Sequence, residues 1–211
     1  MHSYEQPGPA FDEVGGRIYA ALRSGDLDAG PVLELACLLE EWGRRTVAVQ
    51  EVLERPTADL TVADLTRLGE RLLDDIGFEP TFALEPGLWA TLEQALGIAE
   101  RDVRAAGIAG TLRLVAPGWD DSGQAWVEFQ GGHHGNGIRP VAGRDLQGAL
   151  ANIADAAQET IMELIWTVWP TCPMHHLGLH ADLERGTAVW RCAGGGAHTV
   201  APVGALPAQH R

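Results

Sequence analysis

Two cysteines and two histidines in the last third of the chain have the residue types and the spacing of a metal site. Cys172 and His175 form a C-x2-H pair, and Cys192 and His198 form a C-x5-H pair after sixteen intervening residues. Thiolate sulfur and neutral imidazole nitrogen are ligands of Zn²⁺, and four of them close a tetrahedral site without a position for water. The sequence therefore predicts a structural zinc ion bound by Cys172, His175, Cys192 and His198.

The residues between the two pairs predict a β-hairpin, because apolar residues alternate on both sides of a turn at 184–186. They are Leu177, Leu179, Ala181 and Leu183 before the turn, and Ala188, Trp190 and Cys192 after it. A zinc ribbon has one ligand pair at the end of each strand of a hairpin, and we predict such a ribbon over residues 170–206. The tail, residues 199–206, is apolar enough to add an edge strand. Two short strands bury too little apolar surface to be stable alone, so a metal would supply the missing stability.

Other interpretations of the same residues stay open. Cys172 and Cys192 could form a disulfide, or could be incidental cysteines in a core without metal. His176 and His180 lie close to His175 in sequence. If either replaced a ligand and left a water on zinc, Glu163 or Glu184 could act as general base, and the protein would be a zinc-dependent hydrolase that uses the His175, His176 and His180 cluster.

Five further residues offer weaker signals. His133 and His134 lie in a glycine-rich loop, residues 131–137, which is either a binding or catalytic loop or an exposed connection. Trp166 and Trp169 precede the first ligand pair, and we expect both indoles to pack in the core. The third cysteine, Cys37, has no histidine or basic residue beside it that would lower its pKa, so we expect a small buried side chain.

The elements that must position these residues follow from periodicity. Helical spacing predicts helices over residues 11–23, 31–42, 46–54, 62–76 and 86–107. From residue 110 the period changes to two, which predicts a first hairpin over residues 112–129. The longest helix is then expected from residue 144 or 145 to about 168, as a spine for both hairpins. The fold class is therefore α+β, with a helical N-terminal part, a long central helix and two β-hairpins, the C-terminal one a zinc ribbon.

The predicted organisation has three parts. Residues 1–10 are a disordered lead-in, residues 11–107 an acidic helical domain, and residues 108–211 an α+β domain that ends in the ribbon. Acidic residues outnumber basic ones by 20 to 9 over residues 1–107. The first domain therefore carries most of the net negative charge.

The composition of the chain argues against some classes of function. The 211 residues carry a formal net charge of -14, and all fifteen basic residues are arginines. Such a chain is poorly suited to phosphate backbones or anionic membranes. It also lacks a nucleophile–base motif, a phosphate loop and a nucleotide fingerprint. We expect a non-enzymatic interaction, adaptor or accessory protein whose acidic helical surface binds a protein partner of basic charge. The hydrolase is the alternative.

The compartment is predicted from cysteine usage and from segments that are missing. Three cysteines are too few for a disulfide framework, and two of them belong to the metal pattern. The first ten residues have neither a basic nor an apolar signal region, and no run is long enough to span a membrane. We expect a cytoplasmic protein.

Three motifs carry a resemblance to a known group. They are W-P-x-C-P-x-H at Trp169–His175, W-x-C at Trp190–Cys192, and H-x-V-A-x-x-G at His198–Gly204. In these motifs the chain resembles uncharacterised zinc-ribbon-tailed proteins of high-GC Gram-positive bacteria, over about the last fifty residues. The resemblance implies the same four metal ligands and brings no activity with it. Small proteins of this kind are often accessory or immunity-like components.

Overall fold

A computed structural model describes residues 8–208. The described residues form six α-helices and two small antiparallel sheets, which confirms the predicted α+β class. The chain divides into two units, of which unit 1 ends at Pro80 and unit 2 begins at Thr81. No helix in the described part of the chain has both the length and the apolar character needed to cross a lipid bilayer.

Unit 1 consists of helices. They are α1 (Pro9–Ser24), α2 (Ala29–Glu41), α3 (Val47–Glu54) and α4 (Val62–Ile76), with a 3-10 turn at Thr57–Asp59. Their apolar faces share one core, which includes Ile18, Leu35, Leu39, Leu68 and Leu72. The predicted lead-in falls outside the described residues as far as residue 7. Its last part is helical instead, because α1 begins at Pro9, where the fixed φ of proline suits a first helical turn.

Helix α4 shows how local sequence sets these helices. The Thr61 hydroxyl accepts a hydrogen bond from the Asp64 amide, and the Asp64 carboxylate accepts one from the Thr61 amide, which completes a capping box. Gly77 ends the helix in the left-handed conformation, at φ 64°. The helix is therefore defined at both ends by residues within one turn of it.

Unit 2 combines two helices with both sheets. Its elements are α5 (Pro86–Ala105), β1 (Leu112–Val115), β2 (Trp126–Phe129), a 3-10 turn at Pro140–Arg144, α6 (Leu146–Ile165), β3 (Leu179–Glu184), β4 (Thr187–Cys192) and β5 (His198–Pro202). Strands β1 and β2 pair as the predicted first hairpin. Helix α6 contacts β2, β3 and β4, as expected of a spine.

The boundary between the units differs from the predicted one at residues 107 and 108. Helix α5 packs against α6, and its buried residues Leu92, Ala99 and Val103 share a core with Ile153 and Ile161 of α6. The change from helical to strand periodicity marked the first strand of unit 2. The change of periodicity did not mark the start of unit 2. The apolar stripe of a helix predicts that one face is buried, but it does not predict which core that face packs against.

Helix α6 is shorter than predicted and ends at Ile165. Trp166 adopts the left-handed conformation at φ 54°, and its amide donates to the Met162 carbonyl. Both α5 and α6 span 20 residues, so α6 is not the longest helix alone. At the other end the Asp145 carboxylate accepts a hydrogen bond from the Gly148 amide and caps the helix.

The second sheet has the strand order β3-β4-β5. Arg185 and Gly186 join β3 to β4, and both have positive φ, as a two-residue type I′ hairpin turn requires. Strand β5 pairs with β4 from His198 to Pro202, which confirms the predicted edge strand. Trp190 of the central strand β4 is fully buried. Its ring packs edge-on against the Trp169 ring, with 5.7 Å between the ring centroids.

One buried carboxylate joins α5 to this sheet. Asp102 is 1% exposed, and its two oxygens accept hydrogen bonds from the Trp190 indole, the Gly204 amide and the Leu206 amide at 2.7, 2.6 and 2.8 Å. Three donors compensate for the loss of water around the charge. The carboxylate thus holds β4 and the segment after β5 on the same helix.

We expect Asp102→Ala to lower the free energy of unfolding of unit 2 by about 3 kcal/mol or more, because three buried donors lose their acceptor. All tryptophans except Trp42 lie in unit 2, so urea unfolding followed by tryptophan fluorescence reports the loss. Glu93→Ala, at an exposed position of the same helix, is the control and should change the free energy little. Equal stability of the two variants would contradict the bridging role of Asp102.

Candidate metal centre

The four predicted ligands come together in unit 2. One ligand atom from each of Cys172, His175, Cys192 and His198 lies within 4.8 Å of the others, and these residues are the His, Cys, Asp and Glu group that the described part of the chain offers for a metal. Both cysteines are buried and both histidines are half-buried. The cluster is close enough to hold a metal ion.

The first ligand turn, residues 172–177, is closed by backbone hydrogen bonds. The Cys172 amide donates to the Leu177 carbonyl at 2.8 Å, and the His176 amide donates to the Cys172 carbonyl at 2.9 Å. Thr171 and Gly178 form an antiparallel bridge just outside the turn. This closure brings the Cys172 sulfur and Nδ1 of His175 to 3.7 Å from each other.

The second ligand turn lies between β4 and β5, where Cys192 and His198 are paired in register. The Gly194 amide donates to the Cys192 sulfur at 3.3 Å. Nδ1 of His198 lies 3.4 Å from the Gly196 carbonyl, which can only accept, so this contact favours a proton on Nδ1. Nε2 of His198 is then free to bind, and it lies 3.7 Å from the Cys172 sulfur.

Two glycines of the second turn leave room for a ligand of the first. A Cβ at Gly195 would lie 2.7 Å from Nε2 of His175, and one at Gly194 would lie 3.1 Å from Cγ of the same ring. The His175 ring therefore rests directly on the second turn. This close approach requires glycine at both positions.

The surroundings of Cys172 favour the thiolate. Burial acts to raise its pKa, but backbone hydrogen bonds from His175 and Met174 and side-chain contacts with Cys192 and His198 outweigh burial and lower the pKa from 9.0 to about 6. The thiolate is the form that binds metals. The fold thus provides a sulfur ligand that is deprotonated at neutral pH.

A buried glutamine of α6 positions the first ligand turn. The Gln158 side chain is 7% exposed, and its amide nitrogen donates to the carbonyls of Trp169 and Leu179 at 3.0 and 2.5 Å. These carbonyls lie on the two chain segments that enter and leave the turn. Both amide hydrogens are used, so Gln158 fixes the spacing of the segments. Sequence reasoning missed Gln158 and Asp102, because each is a polar residue within a helical pattern and has no motif.

His176 and His180 lie outside the ligand group, although both are near it in sequence. Both side chains are exposed, and His180 pairs with Arg191 across β3 and β4. Glu163 is exposed on α6, and the Glu184 carboxylate accepts a hydrogen bond from the Thr199 hydroxyl. The residues of the hydrolase hypothesis are therefore not assembled around the four ligands.

The glycine-rich loop is not part of the metal centre either. The His133 ring stacks on Trp119 at 5.2 Å, and the edge of Trp126 lies 6.0 Å from it. The backbone of His134 contacts the buried Thr160 hydroxyl, with the amide at 3.4 Å and the carbonyl at 3.5 Å. These contacts attach the loop to α6 and to the first hairpin.

Two other expectations were wrong. Cys37 is exposed, because it lies one position beyond the buried stripe of Val32, Leu35 and Ala36 on α2. Trp169 is buried as expected, but Trp166 is 87% exposed. Trp166 is the left-handed residue that ends α6, so its side chain does not continue the buried stripe of the helix, whereas Trp169, three residues after this turn, lies in the core.

No protein family model, curated protein or solved structure matches the chain. The function is therefore inferred from the site and from the charge of the molecule.

We expect Gln158→Met to lower the free energy of unfolding of unit 2 by about 2 kcal/mol, because two buried carbonyls lose their donor while the side-chain volume is kept. Asn152→Ala, on the exposed face of the same helix, is the matched control. Urea unfolding checks both variants. A Gln158→Met protein as stable as the control would show that the glutamine does not hold the turn.

Proposed function

We propose that the protein is a non-enzymatic adaptor or accessory protein, in which Cys172, His175, Cys192 and His198 hold a structural zinc ion and the acidic surface of unit 1 binds a basic protein partner. The close grouping of the four ligand atoms carries the proposal.

The distances within the group support zinc. Tetrahedral zinc with sulfur at 2.3 Å and nitrogen at 2.0–2.1 Å implies a sulfur-to-nitrogen distance of about 3.5 Å. The Cys172 sulfur lies 3.7 Å from the ring nitrogens of both His175 and His198, and the Cys192 sulfur lies 3.4 Å from that of His175. Two thiolates and two imidazoles are also the ligand types that tetrahedral zinc prefers.

A closed set of ligands favours a structural role for the ion. Catalytic zinc usually has three protein ligands and an open position, whereas four protein ligands fill a tetrahedron. The exposed positions of His176 and His180, outside the ligand group, add no catalytic group to the site. The zinc-dependent hydrolase stays an untested alternative prediction.

The charge of unit 1 supports a basic partner. Residues 1–80 contain 16 acidic residues and 7 arginines. Arg55 and Arg67 both form ion pairs with Glu51 and Asp64, so much of their charge is neutralised locally. Glu41, Glu70 and Asp74 are exposed, and they form no ion pair in the part of the chain that the structure describes. A surface of unpaired carboxylates attracts basic proteins and repels nucleic acids and anionic membranes.

The cysteines support a reducing compartment. Cys37, Cys172 and Cys192 are free thiols. Thiolates that bind zinc must stay reduced, and cytoplasmic thiols are kept so. We therefore place the protein in the cytoplasm.

We expect the purified chain to contain one zinc ion, and Cys172→Ser and His198→Ala to lose it and to melt at a lower temperature, because metal binding contributes to folding stability. His176→Ala and His180→Ala are matched controls from the same segment and should retain the metal. Elemental analysis and thermal unfolding check all four variants. Zinc that survives His198→Ala would contradict the proposed ligand set and would favour the hydrolase.

We expect the zinc affinity to change little above neutral pH and to fall as the pH drops below about 6, the lowered pKa of the Cys172 thiol. Above this pKa the thiolate is present, and below it protons compete with the metal for the sulfur. Titration with a zinc-sensitive dye at a series of pH values measures the affinity. An affinity that kept increasing from neutrality up to the ordinary thiol pKa would contradict the lowered pKa.

We expect neutralisation of unpaired carboxylates in unit 1 to weaken binding of a basic probe more than the same change in unit 2. The unit 1 variant combines Glu41→Gln, Glu70→Gln and Asp74→Asn, and the unit 2 control combines Glu93→Gln, Asp155→Asn and Glu163→Gln. Anisotropy of a fluorescein-labelled oligoarginine peptide measures binding, which should fall as salt rises. Equal loss in both variants, or binding that salt does not change, would contradict a specific acidic surface.

A further inference from the structure

The metal centre lies in a part of the sequence without acidic or basic side chains other than histidine. No Asp, Glu, Lys or Arg occurs from Leu164 to Ala181 or from Cys192 to His210, in a chain with 21% charged residues and a net charge of -14. The ligand turns therefore lie in neutral segments of a strongly acidic molecule.

Four large apolar side chains of the first of these segments are exposed. Trp166 is 87% exposed, Val168 52%, Met174 73% and Leu177 49%. We call these four residues the knuckle patch. Their exposed surface sums to on the order of 600 Å², which is the upper end for the largest apolar patch on a typical monomer and lies below the roughly 800 Å² that each partner contributes to a standard interface.

The knuckle patch belongs to one folded segment. The segment doubles back at the first ligand turn, where Thr171 pairs with Gly178. Val168 packs on the opposite limb, since a Cβ at Gly178 would lie 3.1 Å from its Cγ1. Leu177 ends the turn on that limb, and Met174 lies within the turn. The bridge therefore places Val168 and Leu177 on the two paired limbs of one fold, with Met174 between them and Trp166 two residues before Val168.

Trp166 has a strained backbone conformation, and its large apolar side chain is exposed to solvent. Its φ of 54° is a conformation in which a non-glycine residue is strained, and the C-terminal end of a helix commonly uses glycine there. Because its side chain is 87% exposed, burial within its own chain offsets little of this strain energy. Burial of the indole in a contact with another molecule would offset it.

We propose that the knuckle patch is the interface between two copies of this chain, related by a two-fold axis. Two molecules with a net charge of -14 repel each other, and the repulsion is least where the facing segments carry no carboxylate, as in residues 164–181. An apolar surface is also self-complementary, as a two-fold contact between identical patches requires. A basic partner, in contrast, finds its complement on the acidic surface of unit 1 and not on a neutral patch.

Sedimentation velocity of the full chain as purified, over a range of protein concentrations and at low and high salt, tests the proposal. We expect a reversible monomer–dimer equilibrium that shifts toward dimer as salt rises, because salt screens the repulsion between two acidic molecules and does not weaken an apolar contact. A monomer at every concentration overturns the proposal, and so does a dimer that high salt dissociates.

Trp166→Glu and Trp119→Glu locate the interface. Both replace an exposed tryptophan of unit 2, but Trp119 is followed by Asp120 and Asp121 and lies outside the patch. We expect Trp166→Glu to raise the dimer dissociation constant about thirtyfold or more, and Trp119→Glu to leave it unchanged. Near-UV circular dichroism verifies that both variants are folded. An unchanged dissociation constant in folded Trp166→Glu overturns the assignment to this patch, whatever the metal content of the protein.

Discussion

The buried carboxylate of Asp102 is the contact on which the arrangement of unit 2 depends. It is the acceptor for a side chain of β4 and for two amides after β5, so one oxygen pair on α5 holds both strands that flank the second ligand turn. Gln158 on α6 does the same for the segments around the first turn. The four ligand atoms therefore meet because two helices each hold one turn. The three-stranded sheet packs on these helices, and the geometry of the ligand group does not rest on strand pairing alone.

The sequence predicted the features that short-range patterns encode. Each of the two predicted ligand pairs follows from residue type and spacing, the hairpin from alternation around Arg185 and Gly186, and helix α4 from helical spacing. In each case the physical cause acts within a few residues, so the local sequence contains it. The α+β class follows in turn from the order of such elements.

The features that could not be predicted depend on contacts between residues distant in sequence. Asp102 lies in a helix next to Arg101, and nothing local distinguishes its buried carboxylate from a solvated one. The division between Pro80 and Thr81 depends on which core the apolar stripe of α5 packs against. The exposure of Cys37 depends on its position one residue beyond the buried stripe of α2. Trp166 was expected inside, because hydrophobicity indicates burial only when the backbone continues in the right direction.

The span of the Asp102 contacts also orders events during synthesis. Asp102 and Leu206 are 104 residues apart, and Asp102 and Trp190 are 88 apart. When α5 leaves the ribosome, its carboxylate has none of these donors and remains hydrated until β4 and the segment after β5 have been translated. Contacts of such long range form slowly, since the intervening chain must first be brought together. From their translation until these contacts have formed, Cys172 and Cys192 are accessible thiols, open to any ion or oxidant that reaches them.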